Sequence, residues 1–435
     1  MKYKLLFLLT GMLFSAAPGF SQQVLTLEDA VKIALENNYD IRISKNDVEI
    51  AENNVNRANA GMIPMVEGTL TNNHTVQNSA QTRATGERTE RNGARGSSLN
   101  YGANLNWTVF DGFGMFARYD QLKELRSLGE TNLQLTVLTT VGDVISQYYN
   151  TVQQQQQVRA YDTAVAISQL RVETARNRYQ IGKAAKLELL NAQVDYNTDT
   201  TNYLRQLEIY RNSKIMLNQL MAREVNTEFS VSEDLTIDNK LILADLSNQA
   251  MSKNPSLRAA LISKRIAELD LKQVKANRYP LIGVNTGYNF TRSESALGFA
   301  TLSTGRGFNY GLTASINIFN GFLQKRSERN ASVSIENAQL DYERVNLNLS
   351  AQLSTAYQTY LTNLALVKLE ENNQKIARQN LDITMEKYRL GSITQIEIRD
   401  AQLNYLNSTV RYSNAQYQAK LAEVALKEIS GSLSL

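Results

Sequence analysis

The chain has 435 residues, with 46 Lys and Arg against 42 Asp and Glu for a net charge of +4, one His, 4 Pro and no Cys. At about 100–200 residues per domain, this length admits two or three domains with a sizeable core. The missing Cys excludes thiolate metal sites, disulfides, thiol nucleophiles and a lipidated N-terminal Cys, His74 alone cannot build a His-based metal cluster, and the mild charge is not the footprint of a nucleic-acid partner.

Lys2 and Lys4 precede an apolar stretch from Leu5 to Phe14, and Gly19-Phe20-Ser21 offers a small-x-small cleavage site. This is the layout of a secretory signal peptide, expected over residues 1–21. Its removal takes away Lys2 and Lys4 and lowers the net charge from +4 to +2. The apolar run falls short of the roughly 18 residues that a spanning helix needs, and no later stretch is apolar enough. If this exported chain enters a membrane, it does so as β-strands.

From Gln22 the chain reads helix, strand, loop, strand, long helix, turn, helix, and then the same order again. Leu35-Glu36-Asn37-Asn38-Tyr39-Asp40-Ile41 resembles Met251-Ser252-Lys253-Asn254-Pro255-Ser256-Leu257 at an offset of 216, which Pro64 and Pro280 share. Phe110-Asp111-Gly112-Phe113 matches Phe319-Asn320-Gly321-Phe322 at an offset of 209. Tyr179, Gly182, Glu188, Ala192 and Gln193 match Tyr388, Gly391, Glu397, Ala401 and Gln402 at the same 209. The drop from 216 to 209 is a seven-residue deletion between Pro280 and Phe319. Two internal repeats follow: residues 22–222 and 244–430, with a linker at 223–243 and a tail at 431–435.

The strand pairs are expected near 65–110 and 281–319. In the first, Leu99, Tyr101, Ala103, Leu105, Trp107 and Val109 alternate with Asn100, Gly102, Asn104, Asn106 and Thr108. In the second, Ile282, Val284, Tyr288 and Phe290 alternate with Gly283, Asn285, Gly287 and Asn289, and Phe308 to Ile318 repeats the pattern. Period two means one apolar and one polar face. A soluble sandwich alternates equally well. The runs nevertheless approach the about 9–11 residues of a tilted membrane strand, with prominent aromatics and a small, amide-rich opposite face suited to a water-filled lumen. Val76–Ser98, rich in Arg, Ser and Thr, is expected to be an external loop, and Thr291–Arg306 a shorter one. Four strands cannot close a barrel, and a bilayer tolerates no open sheet edge. The chain must therefore share its barrel. Two copies would give eight strands, usually filled by side chains, and three would give twelve, wide enough for a lumen.

Gly112–Gly182 and Gly321–Gly391 each span 70 positions without Pro, room for a helix of about 100 Å at ~1.5 Å per residue. Val137, Val141, Val144, Tyr148 and Val152, then Leu353, Tyr357, Tyr360, Leu364 and Val367, recur at coiled-coil spacing. The run Gln153 to Gln157 is expected to be a solvated stretch. Gly182 and Gly391 read as helix C-caps, from which second helices return, completing hairpins at 113–222 and 322–430.

On the Phe-Asp/Asn-Gly corners, the tip segments Arg178-Tyr179-Gln180-Ile181-Gly182 and Lys387-Tyr388-Arg389-Leu390-Gly391, and the openings Ala34-Leu35-Glu36-Asn37-Asn38 and Lys253-Asn254-Pro255, the chain resembles the TolC-type outer-membrane efflux protein family. The resemblance covers essentially all of the mature chain. It implies a mainly α fold with membrane β: a homotrimer with a 12-stranded β-barrel in the outer membrane, four strands per chain, continuous with a 12-helix periplasmic α-barrel. A mixed belt would form from Arg223–Leu243 and the tail. It also implies contact with outer-membrane lipid, a periplasmic adaptor protein and an inner-membrane transporter, and no cofactor.

By motif position, Glu188, Glu397 and Asp400 fall where family members carry constricting acids, and Tyr388 where some carry a bonding Tyr. Glu397 and Asp400, three apart, share a helix face, and rings of them would favour cations. The bland alternative is a solvated helix surface. Ile393 stands where some members have a gating Arg. Gly182, Lys183, Ala184, Gly391, Ser392 and Ile393 form the two tips and are the candidate adaptor contacts. Competing readings are a type I protein-secretion duct, a secreted adhesive trimer, and an enzyme using paired carboxylates, for which no cleft is implied.

Overall fold

The structure, a computed structural model, describes residues 24–297 and 300–433. The expected signal peptide lies outside the described residues. In chain order the elements are β1 (Val24–Leu25), α1 (Leu27–Asn37), α2 (Tyr39–Asn54), β2 (Met65–Thr82), β3 (Arg88–Asp111), α3 (Gly114–Gln180), α4 (Lys186–Leu220), β4 (Ser230–Val231), α5 (Leu243–Lys253), α6 (Pro255–Ala276), β5 (Leu281–Ser295), β6 (Leu302–Ser315), α7 (Leu323–Leu390) and α8 (Gln395–Ile429). Contacts divide them into a strand unit, residues 43–135 and 255–348, and a helical unit built from the remaining described residues. Among the described residues, no helix is long and apolar enough to cross a membrane.

In the strand unit, β2-β3-β5-β6 form one antiparallel sheet in that order. The register sets its two faces. Rows such as Val66–Leu105–Thr286–Tyr310 and Gly68–Ala103–Tyr288–Phe308 lie on one side, where Tyr101 stacks on Phe290 at 4.9 Å between ring centres. The other side carries an amide ladder. Asn289 donates to Asn104 and to Asn309, both at 3.0 Å, and Asn104 donates to Thr69 at 3.3 Å. Glycines make room for it: a Cβ at Gly102 would collide with the Asn289 side chain, and one at Gly287 with Asn104.

The ladder runs further than the side-chain pattern suggests. Val76–Ser98 is not a loop. Strand pairing continues through Val76↔Arg95 and, past an irregularity between Gln77 and Ser79, to Thr82↔Arg88. The connection is a short turn in which Arg83 N donates to Glu87 O at 2.8 Å and Gly86 adopts a left-handed φ of 86°. Thr, Arg and Ser satisfy a backbone ladder as well as apolar residues do; the turn and the irregularity demand Gly, the latter at Gly93 with φ of 69°. Thr291–Arg306 likewise lies mostly within β5 and β6. At the other end β6 stops at Ser315 rather than continuing through Ile318. Its partner β5 begins at Leu281, which pairs with Ser315, and the preceding Pro280 has no N–H with which to continue the ladder.

Strands turn into helices through two matching corners. Asp111 accepts from Met115 N at 3.0 Å, and Asn320 from Gln324 N at 3.3 Å, each capping the helix that follows. Gly112 and Gly321 adopt φ of 71° and 63°, and the next residues, Phe113 and Phe322, follow at 70° and 61°. Left-handed backbone is strained for a bulky side chain, at a cost of order 1–3 kcal/mol. Both rings remain exposed, packed edge-on against Phe110 at 5.2 Å and Phe319 at 5.4 Å.

In the helical unit, β1 pairs in parallel with β4 over a core that includes Val31, Val144, Tyr148, Val152, Leu217 and Phe229. Each such burial stabilises by about 1.5–3 kcal/mol. Tyr148 accepts from Ser232 N and donates to Leu25 O at 3.0 Å, joining the linker to the first strand.

The opening helix of each repeat is broken in two, at Asn38 and at Asn254-Pro255, where Pro takes the first helical position. Asn38 donates to Leu220 O, at the end of α4, and Asn254 to Ile429 O, at the end of α8, both at 2.9 Å. Asn38 also accepts from Asp40 N and Ile41 N, capping α2. Replacing Asn38 or Asn254 with Ala should destabilise the helical unit by about 1–2 kcal/mol. This is measured as a lower midpoint in thermal unfolding of the detergent-solubilised protein followed by circular dichroism.

Candidate functional site

Both hairpin tips, in the helical unit, are built alike. Lys183 N donates to Arg178 O at 2.8 Å and Ser392 N to Lys387 O at 3.0 Å, with Gly182 and Gly391 left-handed at φ of 74° and 80°. This six-to-one closure is the glycine C-cap expected from sequence. Gly182, Lys183, Gly391 and Ser392 are exposed, and Ala184 and Ile393 half-buried. The feature that sequence reading missed is apolar. Ile181 and Leu187 on one tip are each 66% exposed, and their repeat equivalents Leu390 and Ile396 are 83% and 72% exposed. The signal was present in the 209 offset, hidden among ordinary helix residues.

Tyr388 and Glu188 come together. Tyr388 is 1% exposed, and its hydroxyl donates to Glu188 Oε1 at 3.5 Å. Arg178 completes the group: it donates to Tyr388 O at 2.6 Å, lies 4.8 Å over the Tyr388 ring and approaches Glu188 at 3.6 Å. Burial, then the Glu188 carboxylate, raises the Tyr388 pKa, so the phenol stays a donor. Its repeat equivalent Tyr179 is 43% exposed, so the duplicated sequence has two environments here. Ile393 packs on Leu381, Tyr388, Ile398 and Ala401. The cation near Tyr388 therefore comes from Arg178, on the other hairpin.

Glu397 and Asp400 stand apart from that group. Glu397 caps its own helix, accepting from Thr394 N at 2.7 Å while Thr394 Oγ1 accepts from Glu397 N at 3.4 Å. These bonds lower its pKa. The folded carboxyl thus titrates below the unfolded one, and the capping contribution, present above the ordinary carboxylate range, is lost as pH falls through the lowered value. Asp400 is exposed.

A buried ion network crosses from α3 to α4 and α8. Arg171, 1% exposed, donates to Asp195 at 2.8 Å and to Gln402 at 3.0 Å. Arg399 grips Asp199 through two bonds of 2.6 and 3.0 Å, and Gln402 donates to Ala164 O, Ser168 and Asp199. Two arginines face two aspartates, so the network is neutral.

The glutamine run is also structural rather than solvated. Gln153 and Gln157 donate to Asn414, Gln155 to Glu233 and Gln154 to Asn150, while Gln156 accepts from Ser413. Among the described residues, no group of acids and His could hold a metal ion.

Antiparallel strands passing through capped corners into long hairpins, once in each half, are the pattern that comparison with known proteins matches. The sequence model of the family described as outer membrane efflux protein matches residues 30–223 and 246–432.

This chain belongs to the outer membrane efflux protein family.

It is 20% identical to the outer membrane protein TolC of Escherichia coli strain K12, over 99% of this chain and 87% of that protein. It is 19% identical to the outer membrane efflux protein BepC of Brucella suis biovar 1, over 98% and 89%. Among solved structures it resembles the CmeC outer membrane channel of Campylobacter jejuni, with a TM-score of 0.77 at 16% identity over 93% of this chain and 85% of that one. The MtrE outer membrane channel of Neisseria gonorrhoeae gives 0.71 at 14% over 93% and 89%. These likenesses concern the fold. The efflux family's homologues are outer membrane proteins, and membership does not favour an adhesive stalk.

Within this efflux protein, Asp199→Asn should leave Arg399 inadequately paired and destabilise the helical unit by about 3 kcal/mol. The exposed Asp162→Asn should change stability by less than about 0.5 kcal/mol. The two are compared by thermal unfolding in one detergent.

Proposed function

We propose that three copies of this chain close their four-stranded sheets into a 12-stranded barrel in the outer membrane, and that their hairpins form a 12-helix periplasmic tunnel. Substrates would cross it passively after a periplasmic adaptor and an inner-membrane pump dock at the tips. The observation that carries this reading is the sheet itself. It has an apolar, aromatic face, an amide-lined face, and two edges, β2 and β6, unpaired among the described residues. Hydrocarbon tolerates no such edges; edge-to-edge closure by other copies satisfies them and turns the amides toward a lumen.

The tips suit docking and gating. Ile181, Leu187, Leu390 and Ile396 offer apolar surface in two equivalent places, a pattern fitted to a repeated partner. Arg178, Tyr388 and Glu188 tie one hairpin to the other and serve as the latch of the tunnel's inner end. Glu397 and Asp400, repeated around a threefold axis, give acidic rings that favour cations.

Purified in detergent, the protein should have the mass of three chains, and a monomer would overturn the shared barrel. In planar bilayers, Tyr388→Phe combined with Arg178→Ala should raise conductance several-fold, and Glu397→Ala with Asp400→Ala should lower cation selectivity. Unchanged currents would discard the latch, and unchanged selectivity the rings. Cysteines placed singly at Gly182, Lys183, Ala184, Gly391, Ser392 and Ile393 should crosslink to a cysteine-bearing adaptor, and silence at all six would sink the docking site.

A further inference from the structure

Among the arginines on the aromatic face of the sheet, Arg292 and Arg306 lie next to each other on β5 and β6, apart from Arg95, which faces Val76 on β2. In register, the apolar rows climb from Trp107–Val284–Leu312 to Leu70–Tyr101–Phe290–Arg306, and the next row is Asn72–Leu99–Arg292–Thr304. Arg306 therefore takes the last place of an aromatic row, and Arg292 sits diagonally above it, at about 7–8 Å in such a ladder. Between them lies a groove of about 560 Å³ lined by Leu99, Tyr101, Phe290 and both arginines, among others. Arg292 pairs with Glu294 at 2.7 Å, with both side chains exposed, a contact worth little in water. Arg306 has no carboxylate within ion-pair distance among the described residues.

An arginine on a lipid-facing surface is expensive inside hydrocarbon and much less so where hydrocarbon gives way to headgroups. These two stand at that border, at the hairpin end of the sheet, opposite the end where β3 leads into α3. In the proposed orientation that end meets the outer leaflet. A guanidinium matches phosphate oxygens through paired, charge-assisted bonds, and the aromatic row below offers a bed for acyl chains.

We infer that Arg292 and Arg306 form a binding site for a phosphate-bearing, acylated glycolipid of the outer leaflet. The phosphate would lie on the two guanidiniums and the chains along Tyr101 and Phe290. This rests on the reading of the sheet as membrane-spanning.

The test is native mass spectrometry of the full-length detergent-solubilised protein titrated with diphosphoryl lipid A, with the same lipid stripped of phosphate, and with inorganic phosphate as competitor. Wild type should bind diphosphoryl lipid A at least about tenfold more tightly than the stripped lipid, since a charged hydrogen bond carries roughly that factor. Arg292→Gln with Arg306→Gln should lose at least that much, and Arg292→Lys with Arg306→Lys should recover part of it. Millimolar inorganic phosphate should not displace the lipid. Insertion into planar bilayers, checked on every variant, separates binding from misfolding. A Gln double variant that inserts and binds as well as wild type overturns the site, as does wild-type indifference to lipid phosphate. Displacement by inorganic phosphate would assign the arginines to a free anion and overturn the lipid. If the wild-type protein does not insert at all, the membrane reading fails first and the site falls with it.

Discussion

The antiparallel ladder across β2, β3, β5 and β6 is the constraint from which the rest follows. Its register fixes every row of side chains, because a slip of one residue would exchange the two faces. Amides then meet across strands on one side only, with glycine opposite asparagine. Aromatics line the other side. A sheet so divided has two edges, β2 and β6, unpaired among the described residues, and under the proposed closure its four strands become a fraction of a larger object. The proposed trimer, the lumen and the lipid-facing arginines are all consequences of that pairing.

Duplication supplies the second organising fact, and its limits are informative. Corners, tips and broken opening helices recur with the same bonds: Asp111 and Asn320, Lys183 and Ser392, Asn38 and Asn254. These are local geometries, which a repeat can copy whole. The ion network does not recur. Arg171, Asp195 and Asp199 have Asn380, Asn404 and Ser408 as their 209-offset equivalents. The first hairpin supplies Arg171, Asp195 and Asp199, and α8 of the second brings Arg399 and Gln402 against them.

Features with a short period were legible in the sequence: the alternation of Leu99–Val109, the Gly tips, and the spacing of Val141, Val144, Tyr148 and Val152, all of which are buried. What escaped reading depends on partners far along the chain. The strands extend through Arg- and Thr-rich segments because a facing backbone is there to pair with, and no side-chain pattern reports that. Gln153 to Gln157 looked solvated because Asn414 and Glu233 lie roughly 80 to 260 positions away. Glu397, a candidate channel acid by motif position, also caps its own helix through Thr394, three residues earlier; that signal was local and readable.

The corners hold a conflict between folding and placement. Phe113 and Phe322 sit in a backbone region that glycine or asparagine would occupy at less cost, yet each presents an exposed ring where strand gives way to helix. Selection for thermal resistance in micelles, where no bilayer rewards an outward ring, would drift toward small residues at both positions. Under the proposed membrane placement, the same drift in cells would loosen the vertical seating of the proposed barrel, so melting temperature in detergent and retention in the envelope would move in opposite directions.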